Sequence, residues 1–315
     1  MAAWCEEEIG RRLRCPHRMT VVEDVGRLEQ HEQELAEADV LVGWPLTQAV
    51  AQRAINVKLV QVSGAGVDGL RLDLLPKGVR VANTYHHEVA IAEYVIMAML
   101  MLKRQPAAYD ARLRAGDWDG SCIWGATPVL EELHGARLLL IGTGHIAHEV
   151  AVRARAFGMR VSAISRSPRA ADEYDEVSGW DRWPDILGEA DFVVPCCPLT
   201  PETEGLFGER QFALMKRSAY LINMTRGRVV EEAALYETLK QRRIAGAAID
   251  VWYAYPSDPD ERRPPSRFPF HELDNVLMSP HNCGWTRRTI MNRVEDMAEN
   301  INRLAEGREL INLVQ

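Results

Sequence analysis

Leu138-Leu139-Leu140-Ile141-Gly142-Thr143-Gly144-His145-Ile146-Ala147 is the stretch on which the reading of this chain turns. Four aliphatic residues without a polar break predict a strand buried on both faces of a parallel sheet. Gly142 permits the tight turn out of such a strand, and Gly144 lets backbone come close to a pyrophosphate. Ala147 stands where a third glycine would keep helix and strand closely packed. From His145 onward Ile146, Val150, Ala151 and Ala154 recur on one side with polar residues opposite, the pattern of an amphipathic helix. The free N–H groups and positive dipole end of that helix suit a diphosphate. A lone Gly-x-Gly-x-x-Ala is a weak signal. A second strand over 158–164 completes a βαβ unit, and the stretch then reads as a dinucleotide-binding turn.

Upstream, short strands are predicted at 20–22, 39–43, 58–63 and 79–83, with a helix over 27–38. Together they make a small βαβ domain. Gly64-Ala65-Gly66 follows one of these strands, and its backbone N–H groups suit a small anion. Residues 88–104 read as one helix, apolar on several faces, which fits burial between domains or subunits. Residues 111–132 read as loop, either an arm toward a partner subunit or a loose connection. Downstream, strands at 138–141, 161–164, 192–194, 219–223, 246–250 and 276–278, with a helix over 232–241, describe a doubly wound sheet. A last helix over 286–305 is expected to cross back to the first domain. The fold class is α/β with two Rossmann-like doubly wound domains. The smaller comprises 1–90 plus 286–315, and the dinucleotide-binding domain spans 91–285.

Bulk properties narrow the function. Of the 315 residues 47% are hydrophobic and 26% charged, and the formal net charge is −8 with no basic cluster to offset it. That balance disfavours nucleic acid or an anionic membrane as partner. Six cysteines without a Cys-x-x-Cys pair suggest reduced thiols in the cytoplasm and no metal site. The charged stretch 1–16 has no signal-peptide pattern, and the apolar run 95–102 is too short for a bilayer.

Four further stretches follow in order: Pro198-Leu199-Thr200-Pro201-Glu202-Thr203, Ile222-Asn223-Met224-Thr225-Arg226-Gly227, Gly246-Ala247-Ala248-Ile249-Asp250-Val251 and Ser279-Pro280-His281. With the dinucleotide turn and Gly64-Ala65-Gly66-Val67-Asp68, the set resembles the D-isomer-specific 2-hydroxyacid dehydrogenases over roughly residues 55–310. The resemblance implies hydride exchange between a nicotinamide and C2 of a small 2-oxo or 2-hydroxy acid. It places Arg226 as the clamp on substrate carboxylate and carbonyl, a role that suits a planar, permanently charged fork. It places His281 as the acid that protonates the carbonyl oxygen during reduction. Backbone of Ala65 and Gly66, with His86 and Trp285, is expected against substrate. Gly142, Gly144, His145 and Ile146 are expected against the diphosphate, Ser165, Arg166, Cys197, Pro198 and Thr203 along the adenosine half, and Thr225 and Asp250 near the nicotinamide, with a structural carboxylate as the alternative reading of Asp250. The resemblance also implies a homodimer, through residues 90–104 and 118–124.

Two departures carry information. The family commonly pairs the histidine with a glutamate just before a proline; here that position is Tyr255. A phenol stabilises imidazolium far less than a carboxylate does, so a lower proton affinity at His281 is expected, unless Glu272 or Asp258 substitutes. The missing charge alternatively admits a more anionic substrate, such as a phosphonate- or phosphate-bearing acid. Related formate-oxidising enzymes carry an amide there, which tyrosine is not, so formate chemistry is not carried over. Second, Ser165 stands where an aspartate would hold an NAD ribose, followed by Arg166 and Arg169. This favours NADP(H), with NAD(H) possible. Trp252, Tyr253, Trp285 and the proline-rich segment 255–270 are expected to shape the pocket mouth. The competing non-enzymatic reading is a dinucleotide-sensing binding protein; retention of Arg226 and His281 favours an enzyme.

Overall fold

The computed structural model describes residues 3–22, 31–43, 47–68, 70–124, 129–257 and 260–314. The chain divides into two compact units, Met1–His87 with Trp285–Gln315, and Glu88–Gly284.

The first unit is built on a parallel sheet of β1 (Val40–Val42), β2 (Leu59–Gln61) and β3 (Arg80–Ala82), in that order. Val60, Val62, Val79 and Val81 pack against Leu35 of α2 (Glu32–Glu37) and Val50 and Ala51 of α3 (Gln48–Arg53). Residues 20–22, expected as a strand, belong to none; Val21 is 42% exposed, so the segment has no apolar face to bury. Of the helix expected over 27–38, residues 27–30 lie outside those described, and α2 covers the remainder up to Glu37. The long helix Arg287–Ala305 opens on Thr286, whose hydroxyl accepts the Thr289 N–H at 3.3 Å. Its apolar face, Ile290, Val294, Met297 and Ala298, packs on Cys5 and Ile9 of α1 (Ala3–Arg12). Asn300 ties it to the sheet, its amide donating to Gln61 Oε1 at 2.8 Å.

The second unit holds a parallel sheet of seven strands among the described residues: β4 (Arg137–Ile141), β5 (Arg160–Ile164), β6 (Glu176–Ser178), β7 (Phe192–Pro195), β8 (Tyr220–Asn223), β9 (Gly246–Ile249) and β10 (Val276–Met278). Their order is β10-β9-β8-β7-β4-β5-β6. The chain therefore runs one way from β4 to β6 and the other from β7 to β10, which opens a crevice at the carboxyl ends of β4 and β7. The three-residue edge strand β6 was absent from the sequence reading because it is too short to show a period.

Residues 88–104 form α4 (Glu88–Arg104), whose Ile91, Ala92, Val95, Ile96, Ala98 and Met99 pack with Ala147, Val150, Ala151 and Ala154 of α6 (His145–Ala156). These apolar positions serve the core of the second unit. Helix α5 (Pro106–Arg114) overturns the loop reading of residues 111–114: Gln105 takes a left-handed φ of +47° and Pro106 starts a new helix. Beyond it Leu113, Trp118 and Ile123 are 53%, 57% and 68% exposed. No helix among the described residues is long and apolar enough to cross a membrane.

Candidate active site

At the crevice, Gly142 leaves β4 with φ +115°, a conformation side-chain-bearing residues rarely adopt, and its N–H donates to Ile164 O at 2.8 Å. A Cβ there would stand 3.0 Å from the Cys196 carbonyl. Gly144 caps α6 from an extended conformation and a Cβ on it would meet nothing within 4 Å, so open space lies over the helix start. His145 and Ile146 open the helix and Ala147 is buried beneath it. Tight turn, open cradle and helix N-terminus fit a dinucleotide diphosphate. Gly142→Ala is expected to weaken NADPH binding at least about tenfold by fluorescence titration, because both strain and the Cys196 carbonyl oppose the methyl. An unchanged Kd would contradict this reading of the turn.

Flanking that turn, Ser165 Oγ accepts Thr143 Oγ1 and the Ser167 N–H, both at 3.3 Å. Arg166 is exposed; with the Thr200 hydrogen bond as the larger cause, its charge helps hold the Glu202 carboxyl below its ordinary range. Thr203 Oγ1 closes the loop after β7 by donating to Pro198 O at 2.6 Å. Cys197 is half-buried, and burial pushes its thiol up to about 11. All six cysteines are free thiols.

The chemistry-bearing residues follow the adjacent strands β8, β9 and β10, whose carboxyl ends share one edge. After β8, Asn223 accepts both the N–H and the hydroxyl of buried Thr225 at 3.4 Å and donates to Arg226 O at 3.0 Å. The half-buried Arg226 guanidinium donates to Thr225 O at 2.8 Å. Gly227 fits only because it lacks a Cβ, which would overlap the Trp252 carbonyl.

After β9, Asp250 has no accessible surface. Of its two expected roles, beside the nicotinamide or as a structural carboxylate, its hydrogen bonds serve the second: Oδ1 accepts Ser279 Oγ at 2.5 Å and Asn282 N at 3.0 Å, and Oδ2 accepts Cys283 N at 3.1 Å. Asp250 therefore anchors the turn carrying His281, which sits between these amides and Ser279 with φ +57°. Tyr255 is 46% exposed, its hydroxyl accepts the Trp252 N–H at 3.0 Å, and its ring lies 5.6 Å from the His281 ring. Desolvation by surrounding atoms lowers the pKa of His281; Asp250 opposes this and Arg226 adds to it. The lowered proton affinity is the one expected with Tyr255 in place of a glutamate; the carboxylate acting on His281 is Asp250, while Glu272, named as an alternative partner, lies in a turn at Phe270–Glu272. Asp258 lies outside the described residues. Trp252, expected at the pocket mouth, is buried, its indole donating to Ser279 O at 2.8 Å and packing edge-on to Phe270. Described residues of 256–269 form no helix or strand.

The first unit carries the other expected contacts. The Gly64-Ala65-Gly66 turn is pinned by Asn83, donating to Ala65 O at 2.8 Å. His86 takes φ +72°, and its Nε2 lies 2.9 Å from Asp296 Oδ2. Trp285 is 58% exposed. Sequence reasoning missed Cys283, whose N–H donates to Asp250 Oδ2; nothing local marks it, because the carboxylate it meets lies 33 residues away.

Comparison with known proteins agrees with this arrangement. Residues 96–283 match the model of the D-isomer specific 2-hydroxyacid dehydrogenase NAD binding domain. The chain is 33% identical over 310 residues to D-3-phosphoglycerate dehydrogenase of Methanocaldococcus jannaschii, covering 93% of this chain and 56% of that protein. It is 32% identical over 281 residues to glyoxylate reductase of Korarchaeum cryptofilum, covering 88% and 79%. The chain thus spans about half the length of the phosphoglycerate dehydrogenases it matches. NADPH-dependent glyoxylate/hydroxypyruvate reductase of Sinorhizobium meliloti, solved with NADP and sulfate, superposes with TM-score 0.78 at 27% identity over 98% of this chain and 95% of that one. On its βαβ turn, its parallel sheets and these matches together, the chain belongs to the D-isomer specific 2-hydroxyacid dehydrogenase family.

Proposed function

We propose that this protein reduces a small 2-oxo acid to the D-2-hydroxy acid with NADPH. The observation that carries the reading is that Arg226 and His281 follow β8 and β10, which flank β9 in one parallel sheet, each within electrostatic reach of the other, on the side where the diphosphate cradle opens. Bound nicotinamide supplies the hydride chemistry. Arg226 grips the substrate carboxylate and holds the carbonyl oxygen, and its fixed charge stabilises the negative charge that grows there. His281 delivers a proton to that oxygen and takes it back in the reverse direction. Tyr255 borders the imidazole with a hydroxyl whose own proton remains to donate. Ala65, Gly66, His86 and Trp285 are assigned to substrate; Gly142, Gly144, His145, Ile146, Ser165, Arg166, Cys197, Pro198, Thr203 and Thr225 to the cofactor.

The choice of NADPH rests on Ser165 and exposed Arg166 after β5: no aspartate stands at this strand end to repel a 2′-phosphate, and the guanidinium, whose charge also acts on Glu202, suits one. Arg166→Ala is expected to lower kcat/KM for NADPH about tenfold and leave NADH within twofold. A parent enzyme that strongly prefers NADH overturns the assignment. The similarity to the NADPH-dependent S. meliloti reductase supports it. The decisive experiment is a panel of glyoxylate, hydroxypyruvate and bulkier 2-oxo acids with both cofactors; no consumption of either cofactor with any acid would overturn the reading. Tyr255 favours a second reading, a phosphate- or phosphonate-bearing acid, because the site lacks the expected negative charge beside His281. Free thiols support a cytoplasmic setting. Exposed Leu113, Trp118 and Ile123 support a homodimer, which mass measurement in solution tests.

A further inference from the structure

The Gly64-Ala65-Gly66 turn lies beyond the carboxyl end of β2 with its residues half-buried. The neighbouring strand β3 runs on into Asn83 and Thr84, and these two hold the turn. Asn83 Nδ2 donates to Ala65 O at 2.8 Å, and the Thr84 N–H donates to Gly64 O at 3.2 Å. In a planar trans peptide the C=O and N–H point opposite ways. Fixing the Gly64 and Ala65 carbonyls therefore aims the Ala65 and Gly66 N–H groups away from β3, as a pair. Asn83 is buried, and its Oδ1 has no partner among the described residues. An open buried acceptor is a cost, so the use of an amide here lies in the N–H that reaches the turn. Asn83 is itself set from behind. Its N–H donates to Asn312 O at 3.1 Å, and the Val314 N–H donates to Val81 O at 2.7 Å, so residues 312–314 run antiparallel along β3. The helix Arg287–Ala305 clamps that segment through two side chains. Asn300 donates to Ile311 O at 3.0 Å and accepts the Ile311 N–H at 2.8 Å. Asp296 Oδ2 accepts Asn312 Nδ2 at 3.3 Å, beside its 2.9 Å approach to His86 Nε2. The left-handed φ of +53° at Asn312 persists because these bonds over-determine it.

We propose that Asn83 is a positioning residue for substrate binding: it aims the Ala65 and Gly66 amides at the substrate carboxylate, and the clamped segment 311–314 holds it in register. The proposal rests on the assignment of Ala65 and Gly66 to substrate. A carboxylate meets these amides equally before and during hydride transfer, because its charge does not change in the reaction. Misaimed amides therefore weaken binding of ground state and transition state alike, which raises KM and spares kcat.

Asn83→Ala is expected to raise KM for the best 2-oxo acid about tenfold, with kcat and NADPH affinity within twofold of the parent. Asn312→Gly removes the bond to Asp296 in a conformation glycine adopts freely, and is expected to raise KM about threefold. Hydrogen exchange supplies a readout that needs no turnover, since the Thr84 amide is tied to Gly64 O. Its exchange is expected to quicken about tenfold in Asn83→Ala and threefold in Asn312→Gly, while amides within β2 keep the parent rate. Parent exchange at Thr84 in both variants would overturn the proposal. Faster exchange with an unchanged KM would overturn the positioning role, and so would a joint fall in kcat and NADPH affinity, the mark of general loosening. Faster exchange with no turnover in the parent would overturn the enzymatic reading and leave the support of the turn standing. If Asn83→Ala fails to fold, Asn312→Gly decides between the same outcomes.

Discussion

Arg226→Gln is expected to lose about a thousandfold in kcat/KM for 2-oxo acid reduction while keeping NADPH affinity and Tm close to the parent's. The guanidinium is half-buried at the sheet edge, where a fixed positive charge is worth far more than in bulk water. Glutamine is shorter but keeps a polar end with some hydrogen-bonding capacity, and it removes the charge and the fork. The backbone should hold, because the Asn223 bond to Arg226 O and the tight fit of Gly227 against Trp252 do not involve the side chain. Arg226→Lys should recover only a fraction of the loss, since a point charge cannot grip carboxylate and carbonyl as a planar pair of donors does. Steady-state kinetics with parallel cofactor titration checks this; a loss below tenfold would remove Arg226 from the chemistry.

His281→Gln is expected to lower the reduction rate by about 10²- to 10⁴-fold, the span typical of a missing general acid. The accompanying pH dependence has a definite sign. Reduction uses imidazolium, and desolvation and the Arg226 charge keep the folded pKa below its ordinary value, with Asp250 opposing them. The reduction rate therefore declines as pH rises through that lowered value, at a more acidic pH than for an ordinary imidazole. Oxidation, which uses the neutral ring, gains over the same interval. Tyr255→Glu places a carboxylate near the ring that Tyr255 now neighbours at 5.6 Å between centroids, and should carry the alkaline decline about one unit higher. Superimposable pH profiles for the two proteins would show that the charge at this position does not govern His281.

The sequence alone determined the parallel sheet of the second unit, since uninterrupted aliphatic runs such as Leu138–Ile141 and glycines such as Gly142 have few alternative uses. It likewise located Arg226 and His281, because short motifs after strands record where side chains must project. Local sequence could not define residues 20–22, 111–114 or β6, where the outcome depends on whether a face finds a partner to bury against. Tertiary structure alone decided what Asp250 does. A carboxylate at the end of a strand reads equally as cofactor ligand or anchor, and only the folded chain brings the Ser279 hydroxyl and the Asn282 and Cys283 amides onto it. The same holds for Cys283 and for the proton affinity of His281: both are set by neighbours distant in sequence, through hydrogen bonds and charges that exist only after the strands have aligned.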